Sequence, residues 1–161
     1  MISVLAQVIL AFVYANFVEW VWHKGVFHGL GKNSKSRFSS HWREHHRNVR
    51  KQCGFDLNYK NGIGTPGGPT EEILELTVGA LLHLPLLFYF PVFVFAVWVH
   101  AIVYFLIHRK SHLDIEWAKK YVPWHYDHHM GRNQDANWCV TFPFWDYILG
   151  TREHFLKGRD K

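Results

Sequence analysis

The apolar positions of the chain are concentrated in two long runs, and polar segments separate and follow them. Residues 2–22 contain one charged side chain and reach about the 20 residues with which a helix crosses a bilayer. Residues 76–107 contain no formally charged side chain but include Pro85 and Pro91. One helix over that run would measure about 48 Å, well beyond the roughly 30 Å hydrocarbon core. Because proline ends a helix, we predict a hairpin of two spans with its turn near Phe90 and Pro91.

The pattern therefore predicts an all-α protein, a multi-pass membrane helical bundle of about three to four membrane helices with a histidine-rich cytoplasmic cap. A single domain is expected over residues 1–161. The predicted spans are residues 2–22, 73–90 and 91–108, and the predicted polar regions are residues 23–72 and 109–161. Residues 111–129 mix tryptophan, tyrosine and lysine, which is typical of an interfacial helix, and they would supply the fourth element.

Lysine and arginine predict the orientation of these spans. Residues 23–72 hold nine of the 18, and residues 108–161 hold the other nine. By the positive-inside rule both polar regions face the cytoplasm, in a bacterial inner membrane or an endoplasmic reticulum membrane. If histidines from both regions share one site, an even number of crossings must separate them, as a hairpin provides. The alternative for the first run is a secretory signal peptide, but no lysine or arginine precedes it.

Composition narrows the function classes. The net charge of +5 comes from basic residues spread through the loops, which does not predict a nucleic-acid-binding face. Cys53 and Cys139 are the only cysteines, so neither a disulfide framework nor a thiolate zinc cluster is expected. In a chain of 161 residues we expect no second, electron-carrying domain.

Histidine is the most unusual feature of the composition, because ten of the 13 fall into four groups. The groups are His23 with His28; His41 with His45 and His46; His108 with His112; and His125 with His128 and His129. Imidazole suits zinc, copper, iron and nickel, and ten imidazoles are too many for one ion but suit two. We interpret His83, His100 and His154 as surface or hydrogen-bonded residues.

Histidines four residues apart lie about 40° from each other around a helix and can bind one ion. The pairs with this spacing are His41/His45, His108/His112 and His125/His129. His46 and His128 are rotated away from those pairs and are expected to serve a second ion. His23 and His28 are about 140° apart on an ideal helix, so we expect a helix to end between them, at Gly25.

Three carboxylates lie beside or within the histidine groups. Glu19 is one turn before His23, and Glu44 and Asp127 lie inside groups. A ligand's second nitrogen needs an acceptor that fixes its tautomer, and we predict this role for all three. The alternative is that they are solvated charges.

The histidine groups and the segment after them resemble the fatty acid hydroxylase/sterol desaturase superfamily of membrane histidine-box di-iron oxygenases. The resemblance covers residues 19–151 and rests on four ordered motifs, HKGVFH, HWREHH, HRKSH and HYDHH. It also rests on the closing segment NWCVTFPFWD at residues 137–146, which runs on to Gly150 and Thr151. The resemblance implies that the ten grouped histidines are metal ligands. The second motif, HX3HH, differs from the HX2HH of many lipid hydroxylases.

This resemblance implies an O2-dependent lipid oxidoreductase, a fatty acid hydroxylase-like monooxygenase that hydroxylates or desaturates a membrane lipid of the fatty-acyl or sterol type. Its cofactors would be two iron ions, for which zinc can substitute in preparations, with dioxygen as co-substrate. A separate electron donor of the cytochrome b5, ferredoxin or rubredoxin type is expected as a partner, and nucleic acid is not.

Further residues are assigned around this centre. Trp138, Phe142, Phe144 and Trp145 are candidates for lining the acyl channel, with core packing of the cap as the alternative. Basic residues near the second motif would meet acidic lipid headgroups or an acidic donor protein; they are Arg43, Arg47, Arg50 and Lys51.

Two other functions fit parts of the pattern. The small size also suggests a carotenoid ring hydroxylase. A histidine-rich membrane metal transporter or storage protein is the alternative from another class. A transporter commonly holds its ligands near the bilayer midplane, where only His83 and His100 lie.

Overall fold

The computed structural model describes residues 2–65 and 68–156, and every regular element in that part of the chain is helical. The α-helices are α1 (Val4–Trp22), α2 (His46–Lys51), α3 (Thr70–Leu81), α4 (Pro91–Leu113), α5 (Ile115–Tyr121), α6 (Pro123–Met130) and α7 (Phe144–Ile148). Two π-helical segments, His23–Leu30 and His41–His45, and two 3-10 segments, Leu57–Lys60 and Leu84–Phe88, lie between them. The predicted all-α class is confirmed.

Helices α1 and α4 lie side by side and run in the same direction. Near their first turns, the Gln7 side-chain oxygen accepts a hydrogen bond from the Phe93 N–H at 3.2 Å. Further along both helices, His100 lies 3.2 Å from a carboxylate oxygen of Glu19. The two helices therefore reach the histidine-rich part of the molecule with the same end, and their last turns deliver side chains to one level.

Both helices are long and apolar enough to cross a membrane, judged by length and composition, and the helical runs concerned are Val4–Leu30 and Pro91–Leu113. Their outward side chains are apolar. Leu5, Ile102 and Leu106 are each more than half exposed. A large exposed apolar face of this kind is typical of a surface that lipid or protein covers.

The predicted span over residues 73–90 is not one continuous helix. Helix α3 ends at Leu81, and a 3-10 segment follows it. Pro85 explains the break, because its ring collides with the carbonyl group four residues earlier in a helix and it has no N–H to donate. The turn predicted before Pro91 is present, since α4 begins at that residue.

Helix α3 and the 3-10 segment carry the chain back along α4. At one end, the side chains of Glu72 and His108 hydrogen-bond at 2.5 Å. Ten residues earlier on α4, the indole N–H of Trp98 donates to the Ala80 carbonyl at 2.9 Å. Helix α3 is thus antiparallel to α4, and the histidines before and after the hairpin meet at one level.

Helices α5, α6 and α2, with the π-helical segment His41–His45 before α2, pack in turn beyond the end of α4. We call this region, together with the segment after α6, the cap. The predicted interfacial helix over residues 111–129 is interrupted at Asp114, whose side chain accepts the Trp117 N–H and caps α5. The last described residues return across the cap, where Arg152 forms an ion pair with Asp127 at 2.9 Å. Both side chains are buried, so this pair anchors the tail to α6.

Candidate metal centre

Nine of the ten grouped histidines form two clusters in which the possible ligand nitrogens lie within 4.8 Å of one another. The five-histidine cluster contains His23, His28, His41, His46 and His128, and the four-histidine cluster contains His45, His108, His112 and His129. The tenth, His125, lies beside the second cluster, with its Nε2 atom 3.0 Å from Nε2 of His112. Side chains as far apart in sequence as His23 and His128 thus meet at one place.

The first histidine pair depends on a π-helix. The helix does not end at Gly25, as predicted, but continues as a π-helical segment over His23–Leu30. A π-helix bonds residue i to residue i+5, so the HX4H spacing places His23 and His28 on one face. Their ring centroids are 5.2 Å apart. The prediction failed because it assumed an α-helical repeat.

The second motif is divided between the clusters for the same reason. The π-helical segment His41–His45 brings His41 onto the face of His46, and both belong to the five-histidine cluster. His45 points to the four-histidine cluster instead. The predicted convergence of His41 and His45 on one ion is therefore wrong, whereas the separation of His128 from His129 agrees with the helical geometry.

Backbone carbonyl groups orient three of the histidines through their Nδ1 atoms. His23 donates to the Trp138 carbonyl at 2.7 Å, and His128 donates to the Ala136 carbonyl at 2.7 Å. His112 donates to the Gly54 carbonyl at 3.2 Å. Two carbonyls of one short segment after α6 therefore orient histidines that come from the π-helical segment after α1 and from α6.

Carboxylate groups orient three more of the grouped histidines. Asp135 accepts from His28 at 3.1 Å, Asp56 from His45 at 2.8 Å, and Glu72 from His108 at 2.5 Å, each at Nδ1. Sequence reasoning missed all three, because they lie outside the motifs. The only signal was Glu72 in the first turn of α3, where an acid also suits the helix dipole.

The three predicted carboxylates have other partners in the described part of the chain. Glu19 accepts from the N–H groups of Val140 and Thr141, the latter at 2.8 Å, and so joins α1 to the tail. Asp127 pairs with Arg152. Glu44 is exposed and lines a cavity described below. Among the described residues, none of the three accepts a hydrogen bond from a grouped histidine.

These hydrogen bonds test whether the clusters suit a metal. A neutral imidazole that donates from Nδ1 has a lone pair on Nε2. In the five-histidine cluster, Nε2 of His46 lies 3.0 Å from Nε2 of His28 and 3.1 Å from Nε2 of His128. One nitrogen cannot satisfy both lone pairs with a single proton. A cation shared by these nitrogens resolves the conflict.

The four-histidine cluster shows the same feature in another form. The Nε2 atoms of His45, His108 and His129 are buried and have no hydrogen-bond partner. A buried acceptor without a partner costs free energy unless a ligand satisfies it. The donor set therefore fits a metal ion in each cluster.

Burial also keeps the cap histidines in the form that binds metal. Desolvation lowers the pKa values of His41, His46, His128 and His129, and neighbouring histidines lower them further. These imidazoles are therefore neutral at physiological pH, as metal ligands must be.

Of the predicted acyl-channel residues, Trp138 is buried, Phe144 and Trp145 are partly buried, and Phe142 is exposed. The Trp138 ring contacts His28 at a centroid distance of 4.8 Å, and the Trp145 N–H donates to the Val13 carbonyl at 3.0 Å. Phe142 packs against Phe12, and Phe144 packs against Trp145. These contacts agree with the alternative of core packing, and the channel role stays a prediction.

A cavity of about 570 Å³ reaches both clusters. His41 of the five-histidine cluster and His45 and His108 of the four-histidine cluster lie in its wall. Its other described walls come from residues within 27–44, 56–65 and 68–75 and from Tyr104 of α4. A volume of this size is typical of sites that bind small organic molecules. None of the four predicted channel residues lines it.

Comparison with protein-family models matches residues 8–151 to a family described as fatty acid hydroxylase. The match spans all four histidine motifs and the closing segment, and it confirms the resemblance that those motifs indicate. Comparisons with curated proteins and with solved structures give no match.

Proposed function

The chain belongs to the fatty acid hydroxylase family, and on this premise we propose that it is a membrane oxidoreductase that hydroxylates or desaturates a lipid with two iron ions and dioxygen. The observation that carries the proposal is the convergence of imidazole lone pairs in two adjacent clusters. Imidazole ligands suit iron, and two bound irons would supply the reductive activation of dioxygen that an unactivated C–H bond requires.

The chain's own residues hold, orient and shield that pair. The five-histidine and four-histidine clusters would each hold one ion. His125 lies beside His112 and is an additional candidate ligand. Carbonyl and carboxylate acceptors fix the Nδ1 protons outward, so that the Nε2 atoms stay free to bind. The burial of the cap histidines keeps bulk water away from the reaction.

The position of the clusters supports a membrane-derived substrate. They lie where α1, α3 and α4 end or begin, at one end of the bundle, and the apolar outer faces of α1 and α4 lead towards them. We propose that α1, the α3 segment with its 3-10 turn, and α4 traverse the bilayer, and that the cap faces the cytoplasm. A separate electron donor of the cytochrome b5, ferredoxin or rubredoxin type would approach from that side.

The transporter alternative is less well supported by the placement of the two histidines nearest the midplane. His83 bonds to the Tyr14 hydroxyl at 3.1 Å and to the Gly79 carbonyl at 2.8 Å. His100 pairs with Glu19. Both imidazoles have helix-to-helix or local partners and lie outside the two clusters, so they do not form a path of ligands.

The first test is metal content with Mössbauer spectroscopy on protein from cells fed iron-57. We expect two irons per chain as a coupled pair. The double variant His128→Ala, His129→Ala removes one ligand from each cluster and should lose the pair, whereas His83→Gln should keep it. A stable zinc pair without iron, from iron-replete cells, would contradict the proposal.

The second test is analysis of lipids from cells that express the protein with a suitable reductase system. We expect hydroxylated or desaturated acyl or sterol lipids that the double variant does not produce. Changes confined to ring carotenoids would favour the carotenoid hydroxylase instead.

A further inference from the structure

The cavity beside the clusters has an unusual lining of charged groups. Five carboxylate side chains line it, and no lysine or arginine does among the described residues. The acids are Glu44, Asp56, Glu71, Glu72 and Glu75. A cavity lined by one sign of charge concentrates ligands of the opposite sign and repels those of the same sign.

Two of these acids already have a role at the metal centre. Asp56 and Glu72 accept hydrogen bonds from His45 and His108, and their charges offset part of the charge of two metal ions. They are therefore not available to a substrate. The other three acids also line the cavity, and a bound cation would supply the positive charge that balances them.

Glu44, Glu71 and Glu75 lack cationic hydrogen-bond partners in the described structure. Glu71 accepts a hydrogen bond from the Ser40 hydroxyl at 2.6 Å. Glu75 follows Glu71 by one turn of α3, and both side chains line the cavity. Two carboxylates one helical turn apart repel each other, and a cation bound between them relieves this repulsion.

Aromatic rings share the cavity with these acids. Phe27, Phe38, Tyr59 and Tyr104 line it, beside the histidines. Aromatic faces attract ammonium groups and also suit an alkyl chain, whereas they contribute nothing to a hydrated metal ion in transit. Carboxylates and rings together therefore fit an organic cation better than a bare ion.

We propose that the substrate is a lipid with a cationic headgroup, an amine or a quaternary ammonium, which Glu71 and Glu75 hold at the cavity mouth. This inference rests on the proposed function and specifies its substrate class. The headgroup lies between the two glutamates, and the aromatic lining guides the alkyl chain towards His41, His45 and His108. Lipids with a carboxylate or phosphate headgroup are repelled at the same place.

The test compares three ligands with the same 16-carbon chain, an amine, an alcohol and a carboxylate. Zinc-loaded protein in uncharged detergent binds them without turnover, and affinity is measured by titration at pH 7.5. We expect the amine to bind about tenfold or more tightly than the alcohol, and the carboxylate to bind most weakly. The double variant Glu71→Gln, Glu75→Gln should lose this preference and leave alcohol binding unchanged.

Glu116→Gln is the matched control, because Glu116 is exposed on α5 and pairs with Lys119. It should keep the preference for the amine. Equal binding of amine and alcohol, or tightest binding of the carboxylate, overturns the inference. So does a double variant that loads less iron but keeps its ligand preference, because the acids would then serve metal uptake.

Turnover separates this inference from the proposed function. If iron-loaded protein oxidises neutral or anionic lipids but no amine, the proposed function stands and the cationic substrate is excluded. If the amine binds through the glutamates but no lipid of any class is oxidised, the headgroup site stands and the proposed oxygenase function fails.

Discussion

Asp146 holds Trp138 in place: its buried carboxylate accepts the Trp138 backbone N–H at 2.8 Å. The carbonyl of the same Trp138 accepts from Nδ1 of His23 at 2.7 Å. Asp146 also accepts the Cys139 N–H and the Thr151 hydroxyl. Asp146 therefore helps to orient His23, which lies 123 residues earlier in the sequence, through the backbone of Trp138.

The substitution Asp146→Asn tests whether Asp146 orients His23 through Trp138. Asparagine lacks the charge and one acceptor, so the Trp138 segment should shift and His23 should lose its fixed orientation. We expect metal affinity of the five-histidine cluster to fall by about 10- to 100-fold, the usual effect of losing a group that orients a ligand. Competition with a metal chelator measures this. Asp114→Asn is the control, because asparagine caps a helix about as well as aspartate; an equal loss there would contradict this role of Asp146.

The sequence predicts the metal site better than it predicts how the site is built. Ten histidines with helical spacing indicate two ions, and the structure brings nine into clusters with the tenth beside them. A π-helical repeat does not follow from reasoning based on 3.6 residues per turn, so the convergence of His41 with His45 and the helix end at Gly25 were predicted incorrectly, whereas the grouping of His46 with His128 was predicted correctly. The orienting acids Asp56 and Asp135 are fixed by tertiary packing, which leaves no local pattern.

The long apolar segments were likewise predicted only in part. The long apolar runs and Pro91 predict α1 and the start of α4 correctly. The helix end at Leu81 was not predicted, although the ring of Pro85 would collide with the carbonyl group four residues earlier in a continuous helix. The length of the apolar run favours a continuous span, but the helix-breaking effect of Pro85 prevails.

The carboxylates that orient histidines should differ in importance according to their burial. Asp56 is 3% exposed and bonds His45, whereas the Asp135 side chain is 48% exposed and also binds Lys32 at 2.6 Å. Asp56→Asn should speed metal dissociation by about 10-fold or more, and Asp135→Asn by no more than about threefold. Stopped-flow chelation measures both rates. Similar rates in the two variants would show that burial does not set the effect.

Acid should destabilise the metal-free protein below about pH 6.5. Burial lowers the pKa values of the cap histidines His41, His46, His128 and His129 below the ordinary value of 6.5. As pH falls through 6.5, the unfolded chain takes up protons that the folded chain does not, so the free energy of unfolding decreases. Above that pH these groups contribute no pH dependence.

Chemical unfolding of metal-free protein between pH 5 and 8 measures this effect. The metal-loaded protein should also lose its ions at the acid end, because protons compete for the ligands. Full metal occupancy that persists at pH 5, or a metal-free stability that rises as pH falls, would contradict the assignment of neutral buried imidazoles.

The π-helical spacing of His23 and His28 gives the sharpest test of how the first cluster is built. Deletion of Gly25 converts HX4H into HX3H and restores an α-helical repeat, which turns the histidine pair out of register with His46 and His128. We expect the deletion variant to retain about one metal ion per chain, held by the four-histidine cluster. Gly25→Ala keeps the spacing and should retain two, because nothing lies within 4 Å of the added methyl group. Two ions in the deletion variant would mean that the cluster does not depend on the π-helix, and none would mean that the clusters do not bind metal independently.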